Sequence, residues 1–201
     1  MIGIFAVISL VFGIFYGYFF QNQSFSDIFS EYSDYILYVL MFFVGLSIGA
    51  NRKILESLKY YHVKIFIIPF GIITASIFAG FICGLILDLD IYESISVSSS
   101  LGWYSLSGVM MKELGSVYMG AIAFLSSLMR EILSFIFIPL IAKYLNNYTT
   151  IAPAAATSED TTLPIILKYG GADIAIMAVF NGIICSISVP ILINFFMSLR
   201  G

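Results

Sequence analysis

The sequence predicts an all-α integral membrane protein: one membrane module over residues 1–201, with about five transmembrane helices and two re-entrant or broken segments. Three observations carry this. Hydrophobic residues make up 60% of the chain and charged residues 10%, where a soluble domain is roughly 25% charged. Apolar runs recur near the length of about 20 residues that a helix needs to cross a bilayer. Between such runs lie two stretches, 95–116 and 151–170, that are too rich in Ser, Thr, Gly and Pro to face lipid.

The first run is 2–20. No basic residues precede it, and "YGYFFQNQ" is bulky where a cleavage site needs small residues, so it reads as a retained span rather than a signal peptide. The second run is 35–50 and the third 65–87. Connection 21–34 holds Asp27, Glu31 and Asp34 without Lys or Arg, whereas 51–64 holds Arg52, Lys53, Lys59 and Lys64. Lys/Arg bias places 51–64 in the cytoplasm, the N-terminus with it, and the acidic connections (Asp88, Asp90 and Glu93 in the next) outside. Ser76, Gly80 and Gly84 form a small-xxx-small ladder on the third run, a pattern that lets helices approach closely in lipid.

Residues 94–107, "SISVSSSLGWYSLS", carry serines at seven positions and Gly102 among them. Non-helical backbone at membrane depth survives only inside protein or beside water, which predicts re-entry or a break there. The same holds for "IAPAAATSEDTTLPIILKYG", bracketed by Pro153 and Pro164. Two long runs remain, 117–145, ~43 Å as a helix at ~1.5 Å per residue, and 172–198. Re-entry gives five spans and full crossing seven. The Lys/Arg balance is equal in both, polarity favours re-entry, and both put the C-terminus outside.

Arg130 and Glu131 interrupt the fourth run. On a helix, Glu131 shares a face with Gly120, Ala123, Ser127 and Ser134, while Phe124, Leu128, Leu133 and Phe137 fill the rest. A charge at the bilayer centre costs ~2.5–3.5 kcal/mol on insertion scales, so this stripe faces protein or a water-filled cavity. Two readings stand side by side. One is structural: Arg130 neutralises an acid or binds a carbonyl of a re-entrant loop. The other is an ion or proton site at Glu131, because low dielectric favours the neutral form of a carboxylate and lets it exchange a proton for a cation. Arg130 keeps its proton.

Elsewhere, Thr157 and Asp160 have capping-box spacing, or the hydroxyls around them bind a substrate at a broken helix end. Trp103 and Tyr104 are interfacial anchors or walls of a pocket for an alkyl ammonium. Asn181 interrupts the last span as an interhelical donor, Asp173 caps its start, and His62 is solvated among lysines. Cys83 and Cys185 read as small buried packing residues without a disulfide. No metal or cofactor set is apparent, and neither HExxH nor G-x-S-x-G, so an intramembrane hydrolase is disfavoured.

The strings "GWYSLSG" (102–108), "LMRE" (128–131), "ATSEDTTLP" (156–164) and "VPILI" (189–193) together resemble the LysO-type lysine exporter family. The likeness covers about 35–198. It implies export of L-lysine and toxic lysine analogues across the cytoplasmic membrane, with an essential membrane acid at the position of Glu131. Ser126, Glu159 and Asn181 depart from the family pattern, which commonly has Asn, an apolar residue and His near those places. Longer members carry a further membrane module in front. The resemblance therefore implies a separate small membrane subunit that supplies it, or a homo-oligomer.

The resulting expectation is a multi-pass exporter of L-lysine driven by proton antiport, with no enzymatic activity, no cofactor and no nucleic-acid partner. Glu131 accepts an ammonium or a proton, with Arg130 beside it. Ser100, Gly102, Trp103, Tyr104, Ser105, Thr157, Ser158, Asp160, Thr161 and Asn181 line the substrate site. Export of another amino acid or organic cation, or a non-catalytic role in a heteromeric transporter, are the alternatives.

Overall fold

The computed structural model describes residues 64–200, together with 12, 13, 15, 16, 19, 39 and 42. The spans expected at 2–20 and 35–50 and the loop 51–63 with His62 lie outside the described residues, apart from those single helical positions. The chain forms two compact units, 1–50 and 51–201. In the first, the rings of Phe15 and Phe19 stack at 5.8 Å.

In the second unit, every regular element among the described residues is helical. Among the described residues, three helices are long and apolar enough to cross a bilayer: α1 (Lys64–Leu87), α4 (Val117–Tyr144) and α6 (Ala172–Leu199). They match the runs at 65–87, 117–145 and 172–198. Exposed side chains such as Phe70, Phe78, Ile136 and Ile191 cover their outer faces, as lipid contact requires.

The first polar stretch is a broken helix. It comprises α2 (Ile91–Ser98), a turn, and α3 (Tyr104–Leu114). Asp90 starts α2 by accepting the Glu93 N–H at 2.9 Å. The turn places Leu101 (φ 49°) and Gly102 (φ 93°) in left-handed backbone, a conformation open to glycine and costly for leucine. The second stretch has a different build: two 3₁₀ turns (Tyr148–Ile151 and Ala155–Glu159), then α5 (Leu163–Gly170) with Pro164 in its first turn. Here Ala155 (φ 49°) is the left-handed residue.

Each stretch goes in and returns at one end of the bundle. Glu93 of α2 pairs with Arg200 at 2.6 Å, beside the C-terminal end of α6. Gly115, which follows α3, lies against Met197 near that same end. The first segment therefore enters and leaves together. Gly170, ending α5, packs on Thr150 and on Ile174 at the N-terminal end of α6, so the second does likewise from the opposite end. This is re-entrant geometry, and it brings the 88–90 turn to the same end as Arg200.

Close approach of backbones makes this packing possible. A Cβ on Gly80 would stand 2.8 Å from the Ile95 Cα and the Ser94 carbonyl, and one on Gly84 would meet Ile91 and Ser94. The Ser76–Gly80–Gly84 ladder is therefore the seat of α2. Cys185 is buried as expected, but Cys83, beside the ladder, is exposed on the outer face of α1. Both cysteines are free.

Gly80→Ala is expected to lower unfolding stability by about 1–3 kcal/mol, the usual cost of forcing a methyl into packed backbone. Gly71 is on the same helix, and nothing lies within 4 Å of a Cβ built there. Gly71→Ala is therefore expected to be neutral or slightly stabilising. Thermal unfolding of the two variants in the same detergent checks the contrast.

Candidate functional site

Arg130 and Glu131 are the two central residues of α4, and both re-entrant tips converge on them. The tips touch each other directly, since the Ala156 N–H donates to the Leu101 carbonyl at 3.0 Å. Gly102 sits against Ala154, Thr157 and the Arg130 side chain, each within 3.7 Å of where its Cβ would be. Glu159, closing the second 3₁₀ turn, packs onto Gly182 of α6, whose Cβ would lie 2.6 Å from the Glu159 nitrogen. At ~1.5 Å per residue, Gly182 is ~15 Å inside α6.

The stripe on α4 is as the sequence predicts: Gly120, Ala123, Ser127, Glu131 and Ser134 are all buried. Leu133 and Phe137 are exposed, but Leu128 is buried and belongs to the inner face. The Glu131 residue is only 2% exposed, and neither carboxylate oxygen has a hydrogen-bond partner among the described residues. The Thr161 hydroxyl interacts with this carboxylate, but it too lacks a partner with hydrogen-bond geometry. Asp160 and Tyr104 are within electrostatic reach of Glu131. The Tyr104 ring is fixed edge-on to Phe124 of α4 at 5.4 Å.

Arg130 does not pair with Glu131. Its Nε donates to the Pro153 carbonyl at 3.2 Å, Nη1 to Ser76 Oγ at 3.1 Å and Nη2 to the Ala152 carbonyl at 3.5 Å. No carboxylate among the described residues is in ion-pair distance of it. The two adjacent charges thus serve different neighbours: Arg130 joins α1 to the second re-entrant segment, and Glu131 faces the tip residues Asp160 and Thr161.

The other expected site residues divide into groups. Ser100 is buried with an unpartnered hydroxyl. Trp103 and Tyr104 are half-buried at the start of α3. Ser105 is exposed, unlike Leu106 and Ser107 beside it, and this sets it apart from the buried group. Asp160 is exposed at the tip, where its carboxylate accepts the Thr161 N–H. The capping box of Thr157 and Asp160 does not form. Residues 155–159 are 3₁₀, so Thr157 Oγ1 turns back to the Ala154 carbonyl at 2.9 Å, and α5 starts later, at Leu163.

Ser158 and Asn181 hold the second tip. Ser158 Oγ lies 2.7 Å from the Ala155 and Ala178 carbonyls, donating its single proton between them. Asn181 Nδ2 donates to the Ala155 carbonyl at 2.9 Å and to Ser158 Oγ at 3.0 Å. The amide donors of Asn181 are thus taken by protein, which fits the interhelical reading of this residue. Sequence reasoning missed three contributors. Ser76 receives Arg130, Thr162 donates to the Thr157 carbonyl at 2.9 Å, and Ser186 donates to Glu159 Oε1 at 2.8 Å. Only Ser76 carried a signal, as the first step of the small-residue ladder.

Two opposed re-entrant segments thus meet at a buried carboxylate midway along a membrane helix, in a multi-pass membrane protein. The chain belongs to the lysine exporter LysO family, whose model matches residues 7–197. It is 35% identical over 167 residues to the protein named lysine exporter LysO of Escherichia coli (strain K12), covering 83% of this chain and 55% of that one. It is 36% identical over 165 residues to a putative lysine exporter of Haemophilus influenzae, covering 82% of this chain and 83% of that one. The chain thus spans about half the length of the Escherichia coli relative. No solved structure matches it.

Asn181→Ala removes donors from Ser158 and the Ala155 carbonyl, and is expected to destabilise the fold by about 1–3 kcal/mol. Unfolding in detergent checks this. A variant of unchanged stability and weakened ligand binding would instead make Asn181 a substrate contact.

Proposed function

We propose that this chain is the substrate-handling module of an exporter that moves L-lysine and its toxic analogues out across the cytoplasmic membrane, by proton antiport. The observation that carries this reading is the Glu131 carboxylate: 2% exposed, central, and without a hydrogen-bond partner among the described residues. A carboxylate so placed binds one cation at a time. Loading a lysine ammonium expels a proton, and loading a proton releases lysine. That exclusivity is the coupling.

The surrounding parts support the cycle. The N-terminal ends of α3 and α5 lie at the two tips. Ser100, Gly102, Trp103, Tyr104, Thr157, Ser158, Asp160 and Thr161 lie on or beside the tips and form the site, and Ser105 joins them if α3 turns during transport. Movement of one re-entrant segment against the other exposes the site to the two sides in turn. The N-terminus is cytoplasmic and the C-terminus outside. The export unit also includes a second membrane module; support comes from the Escherichia coli relative, of which the matched region is 55%.

Glu131→Gln keeps shape and polarity but cannot ionise. It is expected to reach the membrane at wild-type levels while leaving cells as sensitive to a toxic lysine analogue as cells without the protein. Glu131→Asp should keep partial export. Full resistance in Glu131→Gln cells would make the acid structural and remove the antiport reading.

In proteoliposomes, the purified chain alone is expected to export labelled lysine poorly, with activity restored by the second module. Full proton-driven export by a monodisperse monomer would refute the need for that module.

A further inference from the structure

We infer that Arg130 recognises the α-carboxylate of the transported amino acid. The inference rests on the proposed reading that the cargo is a lysine-like amino acid, and it assigns the end of that molecule which Glu131 does not bind. Three observations carry it.

The first is the uncompensated charge. Arg130 is half-buried at the middle of α4, and its partners among the described residues are the neutral oxygens of Ser76, Ala152 and Pro153. A cation held at this depth without a counter-ion is expensive, and an anionic ligand removes the cost.

The second is the unused part of the fork. A guanidinium has five N–H donors. One from Nε, one from Nη1 and one from Nη2 meet protein oxygens. Among the described residues, one N–H therefore remains on each of Nη1 and Nη2, and both are donors that a carboxylate can accept from.

The third is space of suitable size and chemistry. A cavity of about 130 Å³ adjoins Arg130, lined also by Ser98, Gly102, Ser126 and Ser127. At ~30 Å³ per water molecule it holds about four waters, room for a carboxylate and the carbon that bears it. It is bounded by Gly102 at the first tip and by Ser76 of α1, so a ligand there touches the first tip and the helix that Arg130 reaches. A larger, mostly apolar groove of about 740 Å³ opens from the same arginine between α1 and residues 146–152. The carboxylate recognition site is thus reachable without unfolding the tips.

Recognition of this kind makes the exporter selective for amino acids over diamines. Cadaverine is lysine without its carboxylate, so the pair isolates the contribution of Arg130. The test measures binding of L-lysine and of cadaverine to the purified full chain in nanodiscs, for wild type, Arg130→Lys and Arg130→Gln. Wild type is expected to prefer lysine by about ten- to hundredfold, the usual range for a charge-assisted contact. Both variants are expected to lose that preference while keeping the affinity for cadaverine. Arg130→Lys retains a cation for the Ala152 and Pro153 carbonyls. The ratio of affinities does not depend on the fraction folded, so a partly unstable variant still reports.

Equal preference in variant and wild type, or equal loss for both ligands, would make Arg130 a clamp alone and overturn the inference. So would a wild type that binds no amino acid, or an anionic lipid on Arg130 that lysine cannot displace. If lysine fails but another L-α-amino acid binds with the same dependence on Arg130, the carboxylate assignment stands and the lysine reading falls.

Discussion

A guanidinium at the middle of a membrane helix needs oxygen acceptors, and broken backbone at that depth needs donors. In this protein each meets the other's need. Arg130 donates to the carbonyls of Ala152 and Pro153, groups that no helix ladder serves. The remaining gap between the tips is closed by the bond from the Ala156 N–H to the Leu101 carbonyl. In hydrocarbon an unmet backbone group costs several kcal/mol. Convergence of the two re-entrant segments on α4 is thus a requirement of solvation. The left-handed residues Leu101 and Ala155 carry the local strain that this convergence imposes.

Small side chains supply the room. Gly80 and Gly84 admit α2 against α1, Gly120 and Gly108 let α3 lie on α4, and Gly182 admits the Glu159 backbone against α6. Lipid gives little hydrophobic drive for helices to associate, so contact area must come from close approach. Serine adds hydrogen bonding at little cost in volume. Ser107 and Ser127 face each other across α3 and α4 at 3.5 Å, and Ser186 holds Glu159. The same polar surface leaves hydroxyls unclaimed at Ser99, Ser100 and Thr161. These lie on the tips.

The neighbouring charges divide the labour. On a helix, residues one apart point about 100° from each other, so Arg130 and Glu131 address different spaces. Had they paired, neither charge would be available to a ligand. Arg130 is instead anchored by neutral oxygens and Glu131 is left open.

The sequence by itself determined the membrane class, the three long helices at α1, α4 and α6, the buried stripe around Glu131 and the places where helices break. These follow from composition and periodicity, because lipid penalises exposed polarity residue by residue. It left the choice between re-entry and full crossing to polarity, since the Lys/Arg counts balance. Tertiary contacts from Gly170 to Thr150 and from Gly115 to Met197 show the re-entrant course. Tertiary structure alone also decided the partners of each polar group. Spacing suggested a capping box at Thr157 and Asp160, yet 3₁₀ geometry turned Thr157 back to Ala154. The sequence offered Arg130 an acid or a carbonyl of a re-entrant loop, and carbonyls from residues more than twenty positions away took it. Nothing local encodes such long-range bonds. They exist because two tips that cannot hydrogen-bond to lipid must find their partners in each other and in α4.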